Sequence, residues 1–150
     1  MQHNPEIENL IEQAVKIARD KKHEYVLTEH LLLSMIRYAP FRATLDKFGV
    51  EVEIMDSEID AYLNGLTGIV KDDADLQPRK TQALERIFNR ANVQVMFTGR
   101  RSMSTIDVYL SIMAENNTHA HYFLLKYGVK KSEFVDFWSK HYNHKDAKLT

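Results

Sequence analysis

The stretch HEYVLTEHLLLSMI, residues 23–36, decides how this chain folds. It begins with charged and small polar residues and ends in an almost unbroken apolar run. A helix that is apolar on most of its faces is a buried one, so the run predicts a short central helix with a hydrated start. Glu24 and Glu29 lie at its entry, where the N-terminus of a helix favours negative charge.

The surroundings of this stretch occur a second time, with an offset of 77 residues. Apolar residues before it recur at helical spacing and form one stripe, and the same spacing returns in the second half of the chain. The first stripe consists of Ile7, Leu10, Ile11, Ala14 and Ala18, and the second consists of Leu84, Ile87, Phe88, Ala91 and Val95. A pattern that recurs at a fixed offset indicates an internal duplication.

Two further segments repeat with slightly larger offsets. Residues 105–114 repeat the central helix, with Asp107 placed opposite Glu29 at an offset of 78, and LDKFGV at 45–50 returns as LLKYGV at 124–129 with an offset of 79. Short insertions in loops explain this drift. We therefore predict an all-α fold of eight helices, a tandem duplication of a four-helix unit with pseudo-twofold symmetry. The apolar helices lie inside, because one unit alone would bury a meagre core.

Local signals set the expected limits of the repeats. Asn4-Pro5 is a good helix start, Gly49 a typical helix stop, and Thr81 a plausible helix cap. Residues 66–80 lose helical periodicity and are rich in glycine, proline and aspartate, which is typical of an exposed linker. We expect one domain over residues 1–150, made of repeat one at 5–65, a linker at 66–80, repeat two at 81–142 and a flexible tail at 143–150.

Composition restricts the class of protein. The net charge of −1 gives no general attraction to nucleic acid or to a membrane surface, and the absence of cysteine excludes disulfides and thiol nucleophiles. The N-terminus lacks the order of a signal peptide, and no apolar run approaches the ~18 residues of a membrane span. Basic residues are frequent between Arg79 and Arg101, but few aromatic residues interleave with them, which favours a solvated face over a nucleic-acid site. We expect a monomeric cytoplasmic domain.

The seven histidines raise the possibility of a metal site. His119 and His121 are two residues apart and fall on different faces of a helix, whereas His141 and His144 are three apart near the expected end of a helix. A zinc site needs three or four convergent ligands, so we expect neither a metal nor another cofactor. His30 precedes the apolar run and is predicted to be a buried, hydrogen-bonded histidine.

The sequence contains no recognisable catalytic set. It has no Gly-x-Ser-x-Gly elbow and no His-Glu-x-x-His pair, and it lacks the Gly-x-x-x-x-Gly-Lys-Ser/Thr loop that cradles nucleotide phosphates. We therefore expect a binding module and not an enzyme.

Several of these segments resemble a known family. HEY at 23–25 followed by TEHLLL at 28–33 is similar to the first signature of the Clp N-terminal domain, the helical module in front of the Clp (Hsp100) unfoldase ATPases. The second half is similar to the ClpA branch through Arg86, Arg90-Ala91, Gly99-Arg100 and YFLLKYGV at 122–129. The resemblance covers roughly residues 5–142 and implies the same duplicated eight-helix fold.

The resemblance also implies a function. In the ClpA branch this domain receives a ClpS-type adaptor, which delivers substrates with destabilising N-terminal residues, and it helps to steer some protein substrates directly. The adaptor-binding positions that it implies here are Glu24, Glu29, Thr81 and, less directly, Arg86. Carboxylates beside a helix start can accept charge-assisted hydrogen bonds from a partner's lysine or arginine.

Two other functions stay open from the sequence. The ClpC branch reads phosphoarginine with a glutamate in each repeat, and Glu29 and Asp107 occupy related places in this chain. Alternatively, the chain is a free-standing Clp N-like protein, for example phage-encoded, that captures or competes for the adaptor. The absence of an ATPase module before Thr150 is expected for either a piece of a longer unfoldase or such a free-standing relative.

Overall fold

A computed structural model describes residues 5–75 and 77–141, and this part of the chain contains eight α-helices. They are α1 Pro5–Asp20, α2 Thr28–Arg37, α3 Ala39–Phe48, α4 Val52–Asn64, α5 Gln82–Phe97, α6 Thr105–Met113, α7 His119–Lys126 and α8 Lys131–His141. The predicted all-α fold of eight helices is confirmed. Asn4, which was expected to cap the first helix, and the tail from 143 lie outside the described residues.

The duplication is visible in the bounds of the helices. A shift of 77 residues carries both ends of α1 onto the ends of α5, and α1 packs on α2 as α5 packs on α6. Both predicted stripes form the core, although Ile11 is only partly buried. Gly49 after α3 and Gly128 after α7 both have a left-handed backbone, with φ of 101° and 82°, as the repeated helix stop requires.

The central helix α2 is buried along nearly its whole length, as its apolar run predicts. Every residue from Thr28 to Ile36 is buried, including two ionisable side chains. The predicted start was wrong, however, because the helix begins at Thr28, and Glu24 precedes a two-residue strand instead of lying at the helix entry.

The two repeats interlock through reciprocal helix pairs. An aromatic cluster joins α3 to α8, in which the rings of Phe41 and Phe134 lie 5.9 Å apart and those of Phe48 and Phe134 lie 5.3 Å apart. The counterpart pair, α4 and α7, meets through Tyr62, whose ring lies 5.7 Å from that of Phe123. This exchange of partners gives one shared core with the α2 and α6 helices inside, in agreement with a pseudo-twofold arrangement.

The linker lies alongside the segment that precedes α2. Strand β1, Tyr25–Val26, pairs in parallel with β2, Arg79–Lys80, and an isolated bridge joins His23 to Val70. The described part of the linker is mostly exposed, but its two ends are held by backbone hydrogen bonds, a feature that the lost periodicity did not predict. Among the described residues, no helix has the length and apolar character needed to cross a lipid bilayer.

Candidate protein-docking site

The short parallel ladder brings two of the predicted site residues together, although they are 57 positions apart in the sequence. The backbone N–H of Arg79 donates to the carbonyl of Glu24 at 2.9 Å, and the N–H of Thr81 donates to the carbonyl of Val26 at 3.2 Å. Glu24 and the start of α5 are therefore fixed at one edge of the molecule. Both strand residues of β2 are exposed, so this edge is open to solvent.

Glu24 is partly exposed and is paired within the chain. Its carboxylate lies 2.9 Å from the ammonium group of Lys71 in the linker, and 24% of the Glu24 side chain is accessible. An ion pair of this kind contributes little to stability, roughly 0–1 kcal/mol, so Lys71 can be exchanged for a partner's cation at small cost. Lys71 is a neighbour of the site that sequence reasoning missed, because only the folded linker places it there.

Thr81 is the N-cap of α5, as predicted. Its hydroxyl accepts a hydrogen bond from the N–H of Leu84 at 3.2 Å and donates to the carbonyl of Val26 at the same distance. The residue is half-buried. Its hydroxyl thus ties the start of α5 to the strand that follows Glu24.

Arg86 is exposed on α5 and forms an ion pair with Glu115, which lies just after α6. Its guanidinium donates to Glu115 at 2.8 Å, and Arg90 donates to the other oxygen of the same carboxylate at 2.6 Å. These hydrogen bonds, with that from Arg86 the strongest cause, lower the pKa of Glu115 below its ordinary value. Two arginines share one carboxylate, so the cluster of Arg86, Arg90 and Glu115 has one positive charge in excess.

Glu29 does not lie on the surface, and the expectation that it was free to meet a partner is wrong. It is only 6% exposed, and its carboxylate accepts a hydrogen bond at 2.9 Å from the N–H of Ala120 in the first turn of α7. Burial raises the pKa of Glu29 above its ordinary value, against the opposing effect of that hydrogen bond. The carboxylate therefore joins α2 to the other repeat.

The pairing of Asp107 with Glu29 is also wrong. Asp107 is the third residue of α6, and its carboxylate accepts a hydrogen bond at 2.8 Å from the backbone N–H of Ser104, the residue before the helix. In α2 the third residue is His30, which accepts from the N–H of Leu27 at 2.8 Å. The shift of 77 residues found for α1 and α5 thus aligns Asp107 with His30, and Glu29 with Ile106.

Asp107 is occupied from within the chain. The guanidinium of Arg100 makes two hydrogen bonds to its carboxylate, and only 2% of the aspartate side chain is accessible. A guanidinium group already sits where an arginine-derived ligand would have to bind. With Glu29 also buried and bonded, the geometry does not favour the symmetric phosphoarginine sites that the sequence left open.

His30 is buried and hydrogen-bonded, as predicted, and belongs to a short chain of hydrogen bonds. Because its Nδ1 accepts from Leu27, its Nε2 carries the proton and donates to Nδ1 of His23 at 2.8 Å. Burial, together with the neighbouring His23, lowers the pKa of His30 to about 3. Both rings are therefore neutral at physiological pH, and they fix the segment before α2 against the core.

The other histidines make separate contacts. The ring of His119 stacks on Tyr62, and its Nδ1 lies 3.0 Å from the tyrosine hydroxyl, whereas His141 stacks on Phe137. Over the ranges 5–75 and 77–141, no group of three histidine or acidic side chains converges on a point that could hold a metal ion. His144 lies outside those ranges.

Comparison with known proteins gives a consistent result. The family model of the Clp repeat (R) N-terminal domain matches residues 3–127. A ClpA homolog protein of Fuscovulum blasticum is 26% identical over 132 residues, which is 87% of this chain and 17% of that protein. The chain therefore spans about a sixth of the length of this relative.

Two solved structures share the fold at low sequence identity. The Hsp104 N-terminal domain of Candida albicans has a TM-score of 0.74 at 10% identity, covering 90% of this chain and 87% of that one. A complex of a ClpV N-domain with a VipB peptide has a TM-score of 0.60 at 14% identity, covering 96% and 81%. At such identities the likeness concerns the fold alone.

Proposed function

Because this chain belongs to the Clp N-terminal domain family, we propose that it is the docking module of a ClpA-like unfoldase and receives a ClpS-type adaptor and protein substrates. The domain is a protein-interaction module. The observation that carries the finer proposal is the parallel ladder between β1 and β2, which holds Glu24 beside the start of α5. The relative with a ClpA name and the ClpV domain solved with a peptide support the same class of function.

The proposed surface consists of Glu24, Thr81 and Arg86, and it carries both signs of charge. A basic group of the adaptor replaces Lys71 at Glu24, and an acidic group meets the excess positive charge at Arg86 and Arg90. Rim charges of this kind guide the association of the partners, and reversing one places like charges opposite each other, which lowers the affinity. Glu29 supports the surface only indirectly, by fixing α7 to α2.

Calorimetric titration of a ClpS-type adaptor into the domain tests this proposal. Glu24→Lys reverses the charge on the surface, whereas Glu53→Lys reverses an equally negative but 91% exposed side chain on α4 and is the matched control. We expect binding by the wild type and the control, with a loss of about tenfold or more in the Glu24 variant. Equal affinity in all three removes Glu24 from the site, and no binding by the wild type rejects the adaptor proposal.

Thr81 needs a variant that separates capping from contact. Thr81→Asp retains a good N-cap but adds a negative charge at the edge of the proposed surface. We expect altered adaptor affinity and a small loss of thermal stability, because the aspartate carboxylate cannot donate the hydrogen bond that the Thr81 hydroxyl makes to the carbonyl of Val26. A change in stability with no change in affinity assigns Thr81 to capping alone.

A further inference from the structure

Helix α5 exposes an apolar ridge, defined here as Val93, Met96 and Phe97. Their exposed fractions are 63%, 65% and 88%. Positions three and four residues apart are neighbours on a helix surface, so the three side chains form one continuous patch. Isolated exposed apolar residues are ordinary, whereas a contiguous apolar patch is a candidate interaction site.

The duplication supplies an internal control for this ridge. The shift of 77 residues aligns it with Lys16, Arg19 and Asp20 of α1, which are also exposed. There, Lys16 and Asp20 form an ion pair at 2.8 Å on the helix surface. The same face of the same helix is charged in one repeat and apolar in the other, so the fold itself does not require the apolar side chains.

A groove beside the ridge shows the same asymmetry. It has a volume of about 850 Å³ and lies between α5, α6 and α8. Apolar side chains of all three helices and of α7 line it, among them Ala91, Leu110, Leu125 and Val135. Gln94 also lines this groove, and Phe97 follows it by three residues, so the ridge borders the groove wall.

The equivalent groove of the first repeat is smaller and more polar. Its volume is about 360 Å³, and its lining includes Gln13, Ile17, Ser34 and Arg37, which the shift of 77 aligns with Arg90, Gln94, Ser111 and Ala114. Replacement of the long Arg37 by Ala114 removes a side chain from the groove. The second repeat therefore combines an open apolar groove with an apolar ridge, and the described part of the first repeat has a charged face and a more polar groove in the equivalent places.

Charges around the second groove identify the partner's chemistry. Arg90 shares the carboxylate of Glu115 with Arg86, and Asp107 is neutralised by Arg100. Lys131, which also lines the groove, is exposed and makes no ion pair within the described residues. The groove thus has an excess of positive charge, which favours an acidic ligand.

We propose that the second-repeat groove and the Val93–Met96–Phe97 ridge bind an amphipathic helix of a partner protein, whose apolar face is flanked by acidic residues. Laying the apolar face of a helix into a groove is a recurring mode of recognition. A second copy of the chain is a poorer fit, because a stable dimer buries about 800 Å² per partner, more than three side chains and one groove provide. Arg90 borders both this surface and the adaptor surface, but the ridge begins about 10 Å beyond Arg86 along α5, so substitutions in the ridge and at Glu24 test the two proposals separately.

A designed peptide of about 16 residues tests the proposal, with leucine at positions i, i+3, i+4 and i+7 and glutamate elsewhere. The discriminating variant is Val93→Lys, Met96→Arg, Phe97→Asp, which transplants the charged face of α1 onto α5. Ile54→Ser, which removes an exposed apolar side chain from α4, is the matched control. We expect the wild type and the control to bind the peptide and the triple variant to bind at least about tenfold more weakly.

Three results overturn the proposal. These are equal binding by the triple variant, equal binding of a peptide in which lysine replaces every glutamate, and no binding by the wild type at millimolar peptide. Melting curves of the variants establish that they are folded. A fourth result that overturns the proposal comes from sedimentation equilibrium. If the wild type forms a dimer and the triple variant does not, the surface binds a second copy of the chain.

Discussion

The carboxylate of Glu29 in α2 accepts a hydrogen bond from the backbone N–H of Ala120 in α7, at 2.9 Å and across 91 residues of sequence. A residue of the most recognisable motif in the chain thus caps the first turn of a helix in the other repeat. Negative charge at a helix N-terminus is favourable, but burial of that charge is not. The raised pKa of Glu29 shows that burial has the larger effect.

Two substitutions at Glu29 separate the hydrogen bond from the charge. Glu29→Gln keeps an acceptor for Ala120 and removes the buried charge, so we expect its free energy of unfolding at pH 7 to equal or exceed that of the wild type. Glu29→Ala leaves the N–H of Ala120 without its acceptor and is expected to cost about 1–3 kcal/mol. Urea denaturation measures both, and a Gln variant as unstable as the Ala variant contradicts this account.

The raised pKa of Glu29 also predicts a pH dependence. Between the ordinary value of 4.5 and the raised value, the folded state binds more protons than the unfolded state. Protonation of Glu29 therefore adds stability as the pH falls through this window, and the contribution is lost as the pH rises through it. We expect the wild type to gain stability relative to Glu29→Gln when the pH is lowered from 7 to 4.5, and a constant difference between the two opposes the prediction.

The pair of His23 and His30 acts in the opposite direction. The pKa of His30 is lowered to about 3, so the unfolded state binds more protons than the folded state from pH 6.5 downward. The contribution of the neutral His30 ring to the free energy of unfolding is complete above pH 6.5, and about 1–2 kcal/mol of this contribution is lost between pH 6.5 and 5. His30→Gln retains an acceptor for Leu27 without titrating, and we expect a flatter stability profile for this variant over that range.

Nuclear magnetic resonance provides a direct check of the histidine chain. Both rings should be neutral at pH 7, with the proton on Nε2 of His30, and His30 should not titrate above pH 5. Titration of His30 near 6.5 contradicts the hydrogen-bond chain.

The repeated helix stops predict equal costs at two positions. Gly49 and Gly128 have positive φ, where an alanine costs roughly 1–2 kcal/mol, and no neighbouring atom would contact the added methyl group in either case. Gly65, which ends α4 with φ of −81°, is the matched control and should accept alanine with little change. Thermal unfolding of the three variants compares them, and a tolerant Gly128 contradicts the equivalence of the two stops.

Arg100 is expected to matter for stability, whereas its neighbour Arg101 is not. Arg100→Ala leaves the buried carboxylate of Asp107 with only the hydrogen bonds from Ser104, at a cost of about 1–3 kcal/mol. Arg101 is exposed and makes no ion pair among the described residues, so Arg101→Ala should change stability by less than about 0.5 kcal/mol. Equal losses of stability in the two variants, measured by urea denaturation, would contradict the stabilising role of Arg100.

We predict that phosphoarginine does not bind, because both candidate carboxylates already have hydrogen-bond partners within the chain. Arg100 holds Asp107, and Ala120 holds Glu29, so neither carboxylate is free for a ligand guanidinium. Calorimetry with millimolar phosphoarginine should show no binding to the wild type. If the wild type binds phosphoarginine and the Asp107→Asn variant does not, the result supports the hypothesis of a phosphoarginine receptor.

The sequence by itself determined the number and order of the helices. Apolar spacing, the glycine stops and the cap at Thr81 act within a few residues. Because of the duplication, the pattern of a helix in one repeat supports the prediction of its counterpart in the other. Burial of α2 followed from Leu31–Ile36 alone, because a run apolar on every face can be satisfied only inside. The family resemblance rested on the same local segments.

Only the tertiary structure decided which charged side chains are free. Glu24 and Glu29 look alike in sequence, but the first lies in a segment paired with the linker and the second meets a helix of the other repeat. Likewise, the one-residue error in aligning Asp107 with Glu29 disappears once the helix starts are known. Whether an ionisable group is exposed depends on contacts between segments far apart in the chain, and no local pattern specifies those contacts.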